Sequence, residues 1–390
     1  MLATKKVSRL KRDCSALVIG PLPPPAMGPA IGTQIIRSAF ERRGVRVVHV
    51  DTSDRRNVMT TGVFDPRNVA LALLHSFVVA VKAARYPVSV AYIPISQGRW
   101  GYIRDALLMS ILHMLRRPIV VHLRGANFQR FFHASGRIEQ WIIRRTLGWA
   151  ACAIVLTPRL GSVFDGLVAP ERIRILENAI PDPWPAGIRE IQNARAERAT
   201  TTPAELRILF VANDFASKGA ATIVRALTHP GLQGAVLHLV GEPSTKIVRD
   251  TNVLIRSIAL EPRVSILGPR VGEAKWHEYM WADAFCYPSE NDGQPLVVIE
   301  AMAAGLPIVA STYGGIPDTT GAAALLVPPR DDAALAEKLV SLVQHPETRR
   351  PLGDGARERF VAQYTLDAFQ KRFTAVFGEF LGPANPSCAG

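Results

Sequence analysis

Residues 284–305 read AFCYPSENDGQPLVVIEAMAAG. The four apolar residues at the start have the length and composition of a buried strand. A polar loop follows, in which Gly293 permits a tight turn. Pro295 suits the first position of a helix, and Gly305 suits the position just past its end. The helix between them is apolar except for Glu300. A charged carboxylate on a buried helix is costly unless paired. Glu300 therefore meets either a basic neighbour or a ligand, and the strand–glycine–helix context favours a ligand. The start of that helix carries about +0.5 of an elementary charge and unpaired N–H groups, which makes it an anion site.

Outward from this stretch the same unit repeats. In the first half, Val- and Ile-rich runs occur at residues 16–20, 46–50, 88–93, 119–123, 152–156 and 173–176. Amphipathic stretches separate them. Ile31, Ile35, Ile36, Ala39 and Phe40 make one helical face, and residues 68–84, 104–115 and 138–149 behave alike. Residues 181–203 interrupt the alternation with Pro181, Pro183, Pro185 and a Thr-rich end, and read as a linker with room for one short polar helix. Strand-like runs resume at 206–212, 235–240, 264–267, 284–287, 307–310 and 324–327, and helices are expected at 331–343, 347–361 and 366–380. Such β-α-β alternation implies parallel sheets covered on both faces. The fold class is α/β, with two Rossmann-like doubly wound domains. The expected boundaries are 14–181 for the first domain, 182–204 for the linker, 205–364 for the second and 365–381 for a C-terminal helix. Ligands bind at the carboxyl edges of such sheets, so the site is sought in loops facing a cleft between the domains.

Charge divides the same way. The chain has 390 residues and a formal charge of +13, but residues 1–190 hold 27 Lys and Arg against 12 Asp and Glu. The remainder is near neutral, so the first half is the one that meets an anionic partner. Cys14, Cys152, Cys286 and Cys388 form no C-x-x-C pair, which argues against a disulfide framework or a zinc ribbon. The longest apolar run, 69–84, is broken by His75 and Lys82, so no membrane-crossing helix is expected. A basic start (Lys5, Lys6, Arg9) precedes too short an apolar run for a secretion signal. Residues 382–390 read as an unpacked tail.

Four further stretches carry chemistry. Residues 206–220 are a strand, a loop with Asn213, Ser217, Lys218 and Gly219, and a helix. A Lys in such a loop can neutralise a phosphate. The loop Gly20–Gly32 is Pro-rich, departs from G-x-G-x-x-G, and has Gly28 and Gly32 for close backbone approach. At the end of the fourth strand stand His122, Arg124 and Asn127; by alternation His122 and Arg124 point to the same face, or they leave the strand together. A glycine loop at 311–318 holds Gly314 and Gly315.

These motifs resemble those of retaining glycosyltransferases of the two-domain GT-B type, the "group 1" or family 4 set. That family has an acid, seven residues, then Glu at an E-A-M-A-x-G helix. Here Asp292 stands in the place of the usual first Glu, followed by Glu300 and Ala301–Gly305. The G-G-I-P-[ED] loop matches at Gly314–Asp318, the K-G loop at Lys218-Gly219, and the opening G-P-L-P-P-P…G at Gly20–Gly28. Asn213 replaces a frequent Arg, and the family's His after the fourth strand aligns with Arg124.

The resemblance implies transfer of a sugar from a UDP- or GDP-sugar with retained configuration. It implies no cofactor and no metal, since no D-x-D motif is present. By that likeness Lys218, Gly219, Asn213 and the turn Gly293-Gln294-Pro295-Leu296 hold the diphosphate, with N–H groups from Gly293, Gln294 and Leu296 and with Pro295 shaping the turn. Glu300 takes the ribose hydroxyls, Asp292 the sugar hydroxyls with Glu290 in support, and Gly28 lets the first loop close. Arg124 or His122 lines the reaction centre, and the last helix crosses back onto the first domain. The acceptor belongs to the basic half, where Arg42-Arg43, Arg116-Arg117 and Arg144-Arg145 lie near Trp100, Trp141 and Trp149. That pattern suits a lipid-linked or other anionic glycan acceptor at an anionic membrane, on the cytoplasmic face of the plasma membrane, in surface polysaccharide or glycolipid synthesis. Rival readings are a nucleotide-sugar epimerase or hydrolase of the same shape, and a basic nucleic-acid-binding protein. The latter lacks every common recognition motif, so no nucleic-acid partner is expected.

Overall fold

A computed structural model describes residues 15–23, 28–53, 65–202 and 204–381. Cys14, Cys388, the basic start, Pro24, Pro25 and the tail lie outside the described residues. The chain divides into two compact units. The first takes the chain through Val155, then Gly161–Leu176, then residues from Gln370 onward; the second takes Leu156–Leu160 and Glu177–Phe369. Both are Rossmann-like, as the alternation implied.

The first unit holds six parallel strands: β1 (Ser15–Gly20), β2 (Arg46–Asp51), β3 (Val88–Ile95), β4 (Ile119–Leu123), β5 (Ala150–Val155) and β6 (Ile173–Ile175), in the order β2-β1-β3-β4-β5-β6. Every residue of β1 and β4 is buried, because helices cover both faces of the sheet. Strand order reverses between β1 and β3, so the carboxyl ends of these two strands diverge into a crevice. The last helix, Leu366–Leu381, completes this core. Phe373 and Phe377 meet Phe40 edge-on at 4.8 and 4.9 Å, and Gln370 donates to the Ala39 carbonyl.

The second unit holds β7 (Leu206–Val211), β8 (Ala235–Val240), β9 (Val264–Gly268), β10 (Ala284–Tyr287), β11 (Ile308–Ser311) and β12 (Ala324–Val327), in the order β12-β11-β10-β7-β8-β9. Its switch point falls between β7 and β10. The stretch 182–204, expected as a linker with room for one short polar helix, contains the helix Arg189–Thr201, which is part of this unit. Arg195 docks it. Its guanidinium donates to the carbonyls of Tyr279, Ala282, Ala304 and Gly305 at 2.6–3.3 Å. Ala282 and Ala304 are the C-terminal caps of two helices, so one cation satisfies two negative helix ends. Burial pushes the Arg195 pKa down to about 9.

Candidate functional site

The loops after β7 and β10 flank the switch point of the second unit. After β7, Asp214 caps a single helical turn that ends at Gly219, which sits at φ +88°. A Cβ there would fall 2.5 Å from the Pro288 carbonyl oxygen, so only glycine lets the two loops approach this closely. The approach brings Lys218 to the second loop. Its Nζ lies 3.0 Å from Asp292 Oδ2 and also donates to the Asn291 carbonyl. Asp292 Oδ2 accepts two more bonds, from Tyr287 (3.0 Å) and Ser289 (2.6 Å). Three donors thus converge on one oxygen. The carboxylate is held through Oδ2. Burial, with Asp292 alongside, raises the Tyr287 pKa well above its ordinary value, so Tyr287 stays a donor.

Helix Leu296–Ala303 follows, capped at its start by Pro295 and ended by Gly305 at φ +60°. Pro295 sits one place earlier than the spacing suggested, at the cap rather than the first helical position. Glu300 is buried and already paired. Lys275 Nζ lies 2.6 Å from Oε1, and Tyr279 donates to Oε2 at 2.8 Å. The basic-neighbour alternative for Glu300 is therefore present in the structure, alongside any ligand role. Burial and the adjacent Glu300 hold the Tyr279 pKa well above its usual range. Glu290 is likewise engaged, with Arg330 at 2.5 Å. Asn213 is exposed at the rim of the β7 loop.

Gln294 is almost fully buried, and Asn178 clamps it from both sides. The Asn178 N–H donates to Gln294 Oε1 (2.6 Å), and Asn178 Nδ2 donates to the Gln294 carbonyl (2.9 Å). Gln294 Nε2 has no hydrogen-bond partner among the described residues, and neither has Thr157 Oγ1. Gln294 follows Gly293 in the chain, and Thr157 lies against Gly315. Gly315 donates to the Gly293 carbonyl at 2.9 Å, and a Cβ on Gly315 would strike that oxygen and the Thr157 side chain. Each of these buried polar atoms lacks the partner that buried polar groups ordinarily have. Gly314, at φ +56°, turns the same loop, and Asp318 anchors it by accepting from the Arg159 N–H at 2.7 Å.

In the first unit, a cavity of about 500 Å³ occupies the β1/β3 switch point. Gly20, Ser53, Ser96, Arg104 and Arg124 line it. Arg124 donates to the Tyr92 hydroxyl, which is 2.8 Å from His122 Nδ1. His122 and Arg124 thus share a face, as alternation indicated, but at different depths. His122 is buried beneath Tyr92 and does not reach the cavity. Burial and the neighbouring Arg124 drive its pKa well below the usual histidine value, so it is neutral. Of the two residues considered for the reaction centre, only Arg124 lines the cavity. A Cβ on Gly32 would overlap its guanidinium, so Gly32 provides the seat for Arg124. Gly28 has open space around it. Asn127 donates its N–H to Gln97 Oε1 at 2.6 Å and starts the short helix Phe128–Ala134. Among the described residues, no cluster of three or more His, Cys, Asp or Glu could hold a metal.

Sequence reading missed Lys275, Tyr279, Asn178, Thr157 and Arg330. Their only signal is proximity in the fold.

Comparison with known proteins bears on the family and the fold. Residues 205–345 match the family model for glycosyl transferases group 1. A D-inositol 3-phosphate glycosyltransferase of Corynebacterium kroppenstedtii is 32% identical over 45% of this chain and 40% of its own length. A glycogen synthase of Mycobacterium tuberculosis is 28% identical over 67% of this chain and 60% of its own. The chain thus spans about half the length of the curated relatives it matches. Among solved structures, sucrose-phosphate synthase from Thermosynechococcus elongatus aligns with TM-score 0.71 at 20% identity, covering 94% of this chain and 99% of that one. Anabaena HepE in complex with UDP-glucose aligns with TM-score 0.69 at 15% identity, covering 94% and 99%. The fold is GT-B.

Proposed function

We propose that this chain, whose second unit carries a glycosyl transferases group 1 domain, moves a hexose from a UDP- or GDP-sugar to an acceptor with retention of configuration and without a metal. The observation that carries the reading is the meeting of Lys218 and Asp292 at the β7/β10 switch point, inside the matched segment. Anabaena HepE, of the same fold, was solved with UDP-glucose, which supports a nucleotide-sugar donor here.

The bond from the sugar's anomeric carbon to the leaving oxygen breaks as negative charge builds on the diphosphate. The protein must stabilise that charge where it develops. Lys218 supplies a cation, and the start of helix Leu296–Ala303 supplies N–H groups. Asp292 Oδ1 accepts from a sugar hydroxyl while Oδ2 stays locked by its three donors. Gln294 Nε2 and Thr157 Oγ1 gain the partners they lack. Glu300 accepts from ribose hydroxyls, with Lys275 and Tyr279 fixing its orientation.

The acceptor falls to the first unit, with Arg124 in its switch-point cavity. The basic excess of residues 1–190 supports a lipid-linked or other anionic glycan acceptor, worked on at the cytoplasmic face of an anionic membrane in surface polysaccharide or glycolipid synthesis. A thermal-shift panel of UDP- and GDP-sugars identifies the donor, since bound ligand raises stability by mass action. Product analysis with donor alone then separates transfer from epimerisation or hydrolysis. Isomerised donor without acceptor would overturn the transfer reading.

A further inference from the structure

Helix Pro66–Arg85 turns its larger apolar side chains outward. Ser76, Val79 and Ala83 face the first unit's core, whereas Leu73, Leu74, Phe77 and Val81 are 61%, 55%, 68% and 46% exposed. A surface helix ordinarily turns its polar side outward. Here the outward positions, at intervals of three and four residues, are apolar, so the face is built to be covered. The neighbouring helix, Arg99–Met114, packs beside it and exposes Trp100, Ile103 and Leu107. The next, Arg137–Leu147, packs on that helix and exposes Ile138 and Trp141. Trp149, grouped with these by sequence, instead stacks on His113.

Charge identifies what covers the face. Helix Pro66–Arg85 contains no Asp or Glu and has Arg67 and Arg85 at its ends. The three helices together carry eight Lys and Arg against two acids. Both acids are already neutralised, Asp105 by Arg104 and Glu139 by Arg99. Apolar side chains and indoles on helices with a basic excess match the boundary of an anionic bilayer, where acyl chains meet charged headgroups. We propose that this helix lies flat on such a surface and inserts Leu73, Leu74 and Phe77 among the lipids. The inference deepens the membrane reading above by naming the element that docks.

By length and composition the helix is long and apolar enough to cross a membrane. Its anchoring says otherwise. Lys82 donates to the His49 carbonyl at 2.6 Å, and Arg117 donates to the carbonyls of Ala83 and Tyr86 at 3.0 and 3.2 Å. These bonds hold the C-terminal end of the helix, and buried Ser76, Val79 and Ala83 seat its second half on the unit.

The test is co-sedimentation of the full chain with phosphatidylglycerol-rich and with pure phosphatidylcholine vesicles at low salt, alongside Leu73→Ser/Phe77→Ser. UDP-sugar binding by the double variant, measured in parallel, reports that the chain remains folded. Wild type should pellet with anionic vesicles and weakly with neutral ones, with a blue shift of tryptophan emission. The double variant should lose at least about tenfold in vesicle affinity. If wild type pellets and the variant pellets equally, the helix assignment fails while the membrane reading survives. If wild type does not pellet, both fail. A dimer in solution that the double variant dissociates would overturn the lipid assignment in favour of a second copy.

Discussion

Replacing Lys275 by Met isolates the pair inside the second unit's site. Lys275 Nζ and Glu300 Oε1 are 2.6 Å apart, and the Glu300 side chain is only 9% exposed against 25% for Lys275. Stripping one partner from a fully buried pair costs about 3–5 kcal/mol. The part-exposed lysine end admits water, so about 2 kcal/mol is expected here. Glu300→Gln removes the charge, keeps an acceptor for Tyr279, and should cost about 1 kcal/mol. The double variant Lys275→Met/Glu300→Gln leaves no uncompensated charge. It should therefore cost less than the two single changes together, by about 1–2 kcal/mol. Urea unfolding followed by tryptophan emission reads this directly, because Trp184 and Trp276 pack together beside Lys275. Costs that add to within about 0.5 kcal/mol would refute the pairing. In the same set, Glu300→Gln should weaken donor binding, since Glu300 is the group assigned to the ribose.

Gly32→Ala should unseat Arg124, whose flexible end can move aside. Activity should fall as far as in Arg124→Ala while stability, measured by thermal unfolding, changes by less than about 1 kcal/mol; full activity would show that the seat is unimportant. Arg195→Met should destabilise the second unit by about 2–4 kcal/mol, because several buried carbonyls lose their donor, and a urea midpoint like wild type would contradict the docking role. Acid should selectively weaken the first unit. Burial lowers the pKa of His49, His75 and His122, so below about pH 6.5 the unfolded chain binds protons that the folded unit does not. Stability should therefore fall as pH drops through that range, and a melting temperature flat from pH 7.5 to 5.5 would contradict it.

The strands were legible because parallel strands are apolar on both faces and stand out as Val- and Ile-rich runs. All twelve lie within two residues of their expected places. Helix Arg189–Thr201 was legible only as a short polar helix within a linker, not as part of the second unit, since a guanidinium docks it in place of an apolar stripe. Lys218, Asp292 and Gly219 were legible because switch-point loops follow strands in sequence. Lys275 was not, since it lies on a different helix from Glu300 and only the fold joins them. For His122, alternation fixed the face but not the depth. The apolar content of residues 69–84 was visible, but not that its larger side chains point outward.

The central claim is that the second unit holds a nucleotide diphosphate sugar at the β7/β10 switch point, on Lys218 and Asp292. Calorimetric titration of the full chain with UDP- and GDP-sugars, on wild type and Lys218→Ala, tests it most directly. Saturable binding of one donor that Lys218→Ala weakens by about tenfold or more is the expected result. No binding of any nucleotide sugar, or equal binding by the folded variant, would contradict it.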